Sequence, residues 1–369
     1  MKIAFIAVNN TAPWGGSEEL WAQTAIHLAN AGHQIAVNIK GWKTPPSQMQ
    51  AIEAVCEVTY RGYDRSAIER LVFMAHRGKR FYRWLDRIRP DLVVISQASN
   101  QDGLDWMEAC ATRNIPFVTI AHVASELYWA SDAQNHRFAI AYNQAKRCYF
   151  VSQRNLDLTI KQIGADLPHA QIVRNPFNVS YTAAPAWKPT DEGFKLACVG
   201  RIHPTSKGQD ILFEVLRSPK WKNRPLSVTL FGGGAHIETL KRLKALWELD
   251  RVEFGTFTSD VEQIWATHHG LILPSRYEGL PLVIVEAMLC GRTCIVTDVA
   301  GNTELVEDNR NGFVAKAPTP EFVDEALERA WQQRESWYEL GKAAAEKVRQ
   351  VIPPNPIEVF AEELESLLK

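Results

Sequence analysis

Short, uninterrupted apolar runs recur along the chain, each followed by a polar loop and then by a stretch with helical spacing. The first is KIAFIAV at 2–8. A run of that length without polar alternation predicts a strand buried on both faces of a parallel sheet. The loop NNTAPWGGSE follows, then ELWAQTAIHLANAG, a helical pattern closed at Gly32, and then the strand HQIAVNIKG at 33–41. PDLVVIS (90–96), IPFVTIAH (115–122) and AKRCYFVS (145–152) continue the series, each preceded by helical spacing. QIVRNPFNV (171–179) predicts one more short strand.

YTAAPAWKPTDEG (181–193) has no periodicity and is rich in Pro and Ala, which predicts a linker. A second series then begins, with strands in FKLACVGR, LSVTLFGG, RVEFGTF, GLILPS and TCIVTD. Helical patterns lie between them, such as GQDILFEVL, IETLKRLKALWEL and DVEQIWATH. The fold class is therefore α/β, with two doubly wound parallel sheets facing each other across a cleft. The expected boundaries are 1–180, linker 181–193, 194–354, and a closing helix at 355–369. In such sheets ligands bind outside the carboxyl ends of the strands.

Bulk composition narrows the class. A chain of 369 residues holds two or three domains of ordinary size. Lys plus Arg is 41 against 42 Asp plus Glu, so no excess of positive charge marks a nucleic-acid wrapper. The six cysteines form no Cys-x-x-Cys pair and mostly sit in apolar runs, as free thiols of a reducing compartment do. A bridge between Cys290 and Cys294, which flank a predicted turn, is the less favoured alternative. MKIAFIAV is too short for a signal core, and no apolar run approaches the ~18 residues of a membrane span. The expectation is a cytoplasmic protein, soluble or peripheral at the inner face of a membrane.

Two loops carry candidate chemistry. In PSRYEGLPLVIVEAM, Glu278 and Glu286 flank a Gly-Leu-Pro turn between a predicted strand and the helix leaving it. Pro281 suits the first helical turn, because its missing N–H would have been unpaired there. The amides of Gly279, Leu280 and Leu282 are then free to hold an anion with the helix dipole. Glu278 and Glu286 suit sugar and ribose hydroxyls, since carboxylates accept hydrogen bonds. Turn chemistry with an ordinary first-turn acid is the plainer alternative. In VGRIHPTSKGQD (199–210), Arg201 and Lys207 bracket another strand–helix corner. Two cations there suit a diphosphate, and a solvated lysine with a surface ion pair is the alternative.

Arg201-x5-Lys207-Gly208-Gln209-Asp210, then Glu278-Gly-Leu-Pro-x4-Glu286, then VTDVAGNTELVED, resembles the carboxyl domain of glycosyltransferase family 4. These are retaining transferases of GT-B architecture, with two Rossmann-like domains, that use nucleotide-activated sugars. The resemblance covers nearly the whole second domain. It implies that Arg201 and Lys207 hold the donor diphosphate, Glu278 the donor sugar, and Glu286 the ribose. Gly232 and Gly233 in FGGG fall where the family has a Gly-x-Gly turn, and Phe257 in GTFTSD falls in its base-binding loop. In the amino-terminal, acceptor-side domain, Gly15 and Gly16 match a glycine pair near the donor phosphates, with a permissive turn as the alternative. His122 matches a histidine near the donor sugar and acceptor, with a purely structural histidine as the alternative. The final helix is expected to pack back on the first domain.

The chain departs from the family at Asn175-Pro176 and Asn178, where Asn-Gly and a following Asp are common, so no role is carried to that segment. No Asp-x-Asp pair occurs, so the usual carboxylate clamp for a metal–diphosphate is missing. The implied enzyme is a metal-independent hexosyltransferase without a cofactor, its nucleotide-diphosphate sugar being a co-substrate. Its acceptor is a saccharide or lipid-linked saccharide, in cell-surface polysaccharide or glycoconjugate synthesis. A covalent route needs a carboxylate beside the anomeric carbon, and none is assigned; the resemblance implies front-face displacement instead. A sugar-nucleotide epimerase or phosphorylase on the same fold, or a non-catalytic sensor, are the rival readings.

Residues 61–89 hold nine Lys/Arg against three Asp/Glu, with Phe81, Tyr82 and Trp84 interleaved. Such a helix either lies on an anionic membrane surface or is the solvated face of a packed helix.

Overall fold

The computed structural model describes every residue except 11, 63–76, 257, 259 and 369. The chain divides into two compact units, Met1–Pro176 with Asn355–Lys369, and Phe177–Pro354.

The strands of the first unit are β1 (Lys2–Ala7), β2 (Gln34–Lys40), β3 (Glu57–Arg61), β4 (Leu92–Gln97), β5 (Phe117–Ala121), β6 (Arg147–Phe150) and β7 (Ala170–Ile172). They pair in parallel in the order β3-β2-β1-β4-β5-β6-β7. The winding reverses between β1 and β4, where Ile3 lies beside Leu92 and Phe5 beside Val94. Every residue of β4 and β5 is buried, as expected of central strands covered on both faces. β3 lies outside the predicted strands. EVTYR is an edge strand with no buried residue, so it lacks the apolar run that announces the others.

Residues 63–76, the middle of the basic stretch, lie outside the described residues. The helix Arg77–Ile88 that follows buries Trp84, Leu85 and Ile88, with Trp84 edge-on to Trp106 at 6.0 Å. Among the described residues, no helix is long and apolar enough to cross a membrane.

The closing helix, Pro356–Ser366, belongs to the first unit and packs on the helix Gly16–Asn30. Phe360 meets Tyr149 edge-on at 5.0 Å, Glu363 pairs with Arg147 at 3.2 Å, and Glu365 reaches His33 at 2.9 Å.

The second unit holds β8 (Phe194–Val199), β9 (Leu226–Phe231), β10 (Val252–Phe254), β11 (Gly270–Leu273), β12 (Thr293–Thr297) and β13 (Gly312–Ala315). Their order, β10-β9-β8-β11-β12-β13, is again parallel throughout and reverses between β8 and β11. β13, in NGFV, is a further strand beyond those predicted; its brief apolar Phe-Val-Ala follows the polar EDNRN and is cut off by Lys316, so it does not stand out as a run.

Residues 181–193 are not a free linker. The chain passes to the second unit at Pro176–Phe177, and the Pro/Ala-rich stretch is packed upon it. Tyr181 donates its hydroxyl to the carbonyls of Arg349 and Ile352 at 3.0 and 3.1 Å. Buried Arg292 donates to the carbonyls of Pro185 and Ala186, and Trp187 lies edge-on to His269 at 5.1 Å. Missing periodicity here reflects an irregular but anchored backbone, held through Tyr181 and Trp187. All six cysteines are free, Cys290 and Cys294 included.

Candidate functional site

In the second unit the site is built where the winding reverses, from the loops that follow β8 and β11. Gly208 makes their close approach possible. It sits at φ +64°, and a Cβ there would come 1.9 Å from the Pro274 carbonyl oxygen, so any side chain would force the loops apart. Arg276 fastens the same corner. Its guanidinium donates to both Asp210 oxygens at 2.7 Å and to the Pro204 carbonyl at 2.7 Å. Those bonds hold its pKa above the ordinary arginine value.

The corner brings Lys207 and Glu278 together. Lys207 Nζ donates to Glu278 Oε1 at 2.5 Å, and the Ser275 hydroxyl donates to the same oxygen at 2.7 Å. Glu278 is buried, so the ammonium offsets a charge that would otherwise be costly there. The pairing also removes the repulsion that a bare carboxylate in this loop would present to an anion. Lys207 retains two further N–H donors, and Glu278 retains a second carboxylate oxygen. Neighbouring β12 pins the loop: Thr297 Oγ1 donates to the Ser275 carbonyl at 2.6 Å, and the Gly301 amide to the Gly279 carbonyl at 2.9 Å.

The helix leaving this loop spans Leu282–Leu289, and Pro281 is its N-cap rather than its first helical residue, with ψ 125°. Among the described residues, the amides of Gly279, Leu280, Leu282 and Val283 have no hydrogen-bond acceptor. Four unpaired donors and the positive end of the helix dipole thus lie directly after Glu278. Glu286, one turn further on, is buried, and its Oε1 accepts from the Asn178 amide at 3.0 Å and the Asn178 side chain at 2.9 Å. The segment that departs from the family pattern therefore rests on Glu286, and this role was invisible in the sequence.

Arg201 follows β8, is exposed, and makes no side-chain hydrogen bond or ion pair with the described residues. His203 lies between Arg201 and Lys207 in the chain, its Nδ1 2.9 Å from the Ser206 hydroxyl and its ring 5.4 Å from that of His236. Burial, then His236, Arg201 and Lys207, hold its pKa below the ordinary value, which marks this edge as cationic. Gly232, at φ +135°, lets the loop after β9 lie against the Gly200 carbonyl, where a Cβ would approach to 2.1 Å. Around Gly233 there is open space, and its carbonyl accepts from the Ile202 amide at 2.9 Å. The FGGG turn thus shapes the Arg201 loop from beside it. Phe257 lies outside the described residues.

In the first unit, Gly15 is the N-cap of the helix Gly16–Asn30. Its φ of −169° is extended backbone open to any residue, and Gly16 does not have positive φ. Backbone conformation therefore does not require glycine at Gly15. The next turn carries a buried carboxylate, Glu18, bonded by the Asn9 side chain at 2.8 Å and the Ser17 hydroxyl at 2.7 Å. His122 directly follows β5 and is buried; its Nε2 lies 3.2 Å from the Ser96 hydroxyl and its Nδ1 has no partner among the described residues. Burial lowers its pKa to about 3, so the ring is a neutral hydrogen-bonding group at physiological pH. Among the described residues no group of three or more His, Cys, Asp or Glu is placed to hold a metal ion.

Two parallel α/β sheets are thus wound in one order, and cations and unpaired amides stand at the second switch point. Residues 14–181 match the family described as Glycosyltransferase Family 4, and residues 193–333 match Glycosyl transferases group 1. The chain belongs to this glycosyltransferase family. It is similar to an uncharacterized glycosyltransferase of Haemophilus influenzae, 31% identical over 44% of this chain and 45% of that protein. It is also similar to a GDP-mannose-dependent alpha-(1-6)-phosphatidylinositol monomannoside mannosyltransferase of Mycobacterium tuberculosis, 29% identical over 42% of each chain. Each match thus spans less than half of the curated relative's length. In structure the chain resembles Anabaena Alr3699/HepE in complex with UDP, with a TM-score of 0.75, 20% identity, and coverage of 99% of this chain and all of that one.

Proposed function

We propose that this protein is a retaining hexosyltransferase that moves a sugar from a nucleotide-diphosphate donor to a saccharide or lipid-linked saccharide, in cell-surface polysaccharide or glycoconjugate synthesis. One observation carries the reading: the Lys207–Glu278 pair stands directly before four unpaired amides at a helix N-terminus. That arrangement suits a sugar diphosphate, since Lys207 and the amides meet phosphate charge while the free oxygen of Glu278 accepts from sugar hydroxyls. Arg201, exposed and unpaired on the adjoining loop, adds the second cation. Glu286, which holds Asn178 through Oε1, is the residue assigned to the ribose.

In the proposed reaction the bond from the anomeric carbon to the diphosphate oxygen breaks, and a bond from an acceptor hydroxyl oxygen forms on the same face. The acceptor's proton passes to the departing phosphate oxygen. Arg201, Lys207 and the helix amides stabilise the negative charge that develops on that group. His122, neutral and with Nδ1 unpaired, serves as a hydrogen-bonding group for the sugars, with Gly15 and Gly16 giving amides close access to the donor. GDP-mannose, named for one relative, and UDP, bound in one structural neighbour, support trying UDP- and GDP-sugars first.

A thermal-shift panel of UDP-, GDP-, ADP- and dTDP-sugars tests this, because a ligand that binds only the folded state raises the melting temperature. At least one nucleotide sugar should raise it by several degrees. A flat response to the whole panel would remove the donor reading. Release of the nucleotide without a new glycoside, in the presence of acceptor sugars, would favour a phosphorylase or epimerase instead.

A further inference from the structure

His203, on the loop after β8, has no part in the donor chemistry described so far, yet the fold sets it among the groups that do. It is half-buried, and its Nδ1 lies 2.9 Å from the Ser206 hydroxyl. That hydroxyl donates to the His203 carbonyl at 3.3 Å. A hydroxyl has one proton to give, so Nδ1 carries its own hydrogen and donates to Ser206 Oγ. The neutral ring then keeps its lone pair on Nε2. Among the described residues Nε2 has no partner, and it is not one of the buried unpaired atoms, so solvent reaches it. A proton can join Nε2 without disturbing the bond to Ser206.

The surrounding groups decide when that happens. His236, the N-cap of the helix Ile237–Leu246, meets the ring edge-on with centroids 5.4 Å apart. Its Nδ1 is buried without a partner among the described residues, so it makes no hydrogen bond to His203. Burial first, then His236, Arg201 and Lys207, hold the pKa of His203 below the ordinary value. From the loop after β11, Arg276 is spent on Asp210 and the Pro204 carbonyl, and Glu278 is bonded to Lys207. On the helix Ile237–Leu246, Glu238 is engaged with Lys241 at 2.8 Å. These acids are already paired with cations, so none holds a proton on His203, and in the free protein the ring is neutral near pH 7.

A diphosphate reverses that balance. Gripped by Arg201 and Lys207, its charge lies within reach of the field those two cations already exert on His203. An adjacent anion favours the charged form of an imidazole. We propose that His203 is a proton-linked ligand of the donor diphosphate, neutral in the free protein and protonated at Nε2 in the complex. The proton comes from solvent, and the only bond made is N–H. Binding and protonation are reciprocal, so whatever draws the proton on also tightens the grip. Donor affinity therefore rises as pH falls through the interval between the free and the bound ring's titration, and is level on either side of it. The inference rests on the donor reading of this edge and adds to it a third cation, one that exists only in the complex. Negative charge on the diphosphate grows as it departs, so the same proton also stabilises the leaving group.

The test is calorimetric titration of the full chain with UDP-glucose, GDP-mannose, ADP-glucose and dTDP-glucose. It is run at about pH 7 in PIPES and in ACES, because buffers of unlike ionisation heat reveal proton uptake. The diphosphates of these probes are diesters with no proton to titrate there, so any uptake belongs to the protein. With a probe that binds, wild type should take up roughly half a proton and gain about threefold or more in affinity for each unit by which pH is lowered. His203→Gln keeps a hydrogen-bonding group that cannot ionise; it should abolish the uptake and flatten the pH dependence, its fold verified by an unchanged melting temperature. His236→Gln and His122→Gln should retain the uptake. In wild type the His203 ring, followed by NMR, should turn from neutral to charged on addition of the probe, a reading that needs no variant to fold. Binding without uptake, uptake that survives His203→Gln, or a ring that stays neutral would each overturn the proposal and leave the donor reading in place. Failure of the donor reading shows separately, as no binding of any of the four probes at any pH, and the proposal falls with it.

Discussion

The two units wind their sheets in the same order, yet their switch points carry opposite chemistry. After β8 and β11 the loops hold Arg201, His203, Lys207 and four unpaired amides, with a single carboxylate, Glu278, already neutralised by Lys207. After β4 and β5 the loops hold no cation; they offer neutral His122, Asn100, Gln101, three acids and an exposed aromatic run. In the proposed reading one winding carries two different edges, because the sheet fixes only where loops converge and the loop residues decide what they hold. A phosphate-handling edge needs positive charge and unpaired N–H groups. A sugar-handling edge needs acceptors and ring faces.

That contrast can be broken from either side. The largest expected effect is Arg201→Ala, which should lower turnover by about 100- to 1,000-fold, the range for losing one group that stabilises transition-state charge. Because Arg201 has no partner among the described residues, the variant's melting temperature should stay put, and an unchanged rate would remove Arg201 from the mechanism. Lys207→Ala should cost turnover similarly but also lower the melting temperature, since buried Glu278 loses its partner. Equal melting curves for the two variants would show the ion pair to be structurally idle. Gly208→Ala should destabilise by about 3 kcal/mol or more, through left-handed strain and the clash with Pro274, as read by urea unfolding. Glu286→Ala should cost about 2 kcal/mol, by stripping Asn178 of its acceptor, and should weaken donor binding as well. Loss of binding without loss of stability would separate its two roles.

The smallest effect concerns pH and sharpens the contrast from the other edge. His122 has a folded pKa of about 3, below the ordinary histidine value near 6.5. Between these values the unfolded chain binds more protons, so the stability this group contributes is full above pH 6.5 and is lost as pH falls towards 3. In His122→Gln, the fall in unfolding free energy over that window should be shallower than in wild type. Its imidazole, followed by NMR, should remain neutral at pH 5; protonation there would show that the buried environment has been misread.

Much of this was legible in the chain. The apolar runs at 2–8, 90–96 and 115–122 announce strands β1, β4 and β5 because those strands are buried on both faces. β3 and β13 escaped, the one half-exposed at an edge and the other a brief Phe-Val-Ala between the polar EDNRN and Lys316. Arg201, Lys207, Glu278 and Glu286 stood out by type and spacing, but their partners did not. Ser275, Arg276 and Asn178 act through folded-state contacts, and Asn178 meets Glu286 from 108 positions away. The anchoring of 181–193 was hidden for a similar reason, since the hydrogen bonds of Arg292 go to backbone carbonyls and leave no mark on side-chain pattern.

Isothermal titration of UDP and GDP against wild type and Arg201→Ala, at low and high salt, bears most directly on the phosphate-gripping edge. One diphosphate should bind wild type, weaken as salt rises, and lose at least tenfold in affinity in Arg201→Ala at low salt. Identical affinity in the two proteins, or binding indifferent to salt, would mean that the cations after β8 do not hold the diphosphate.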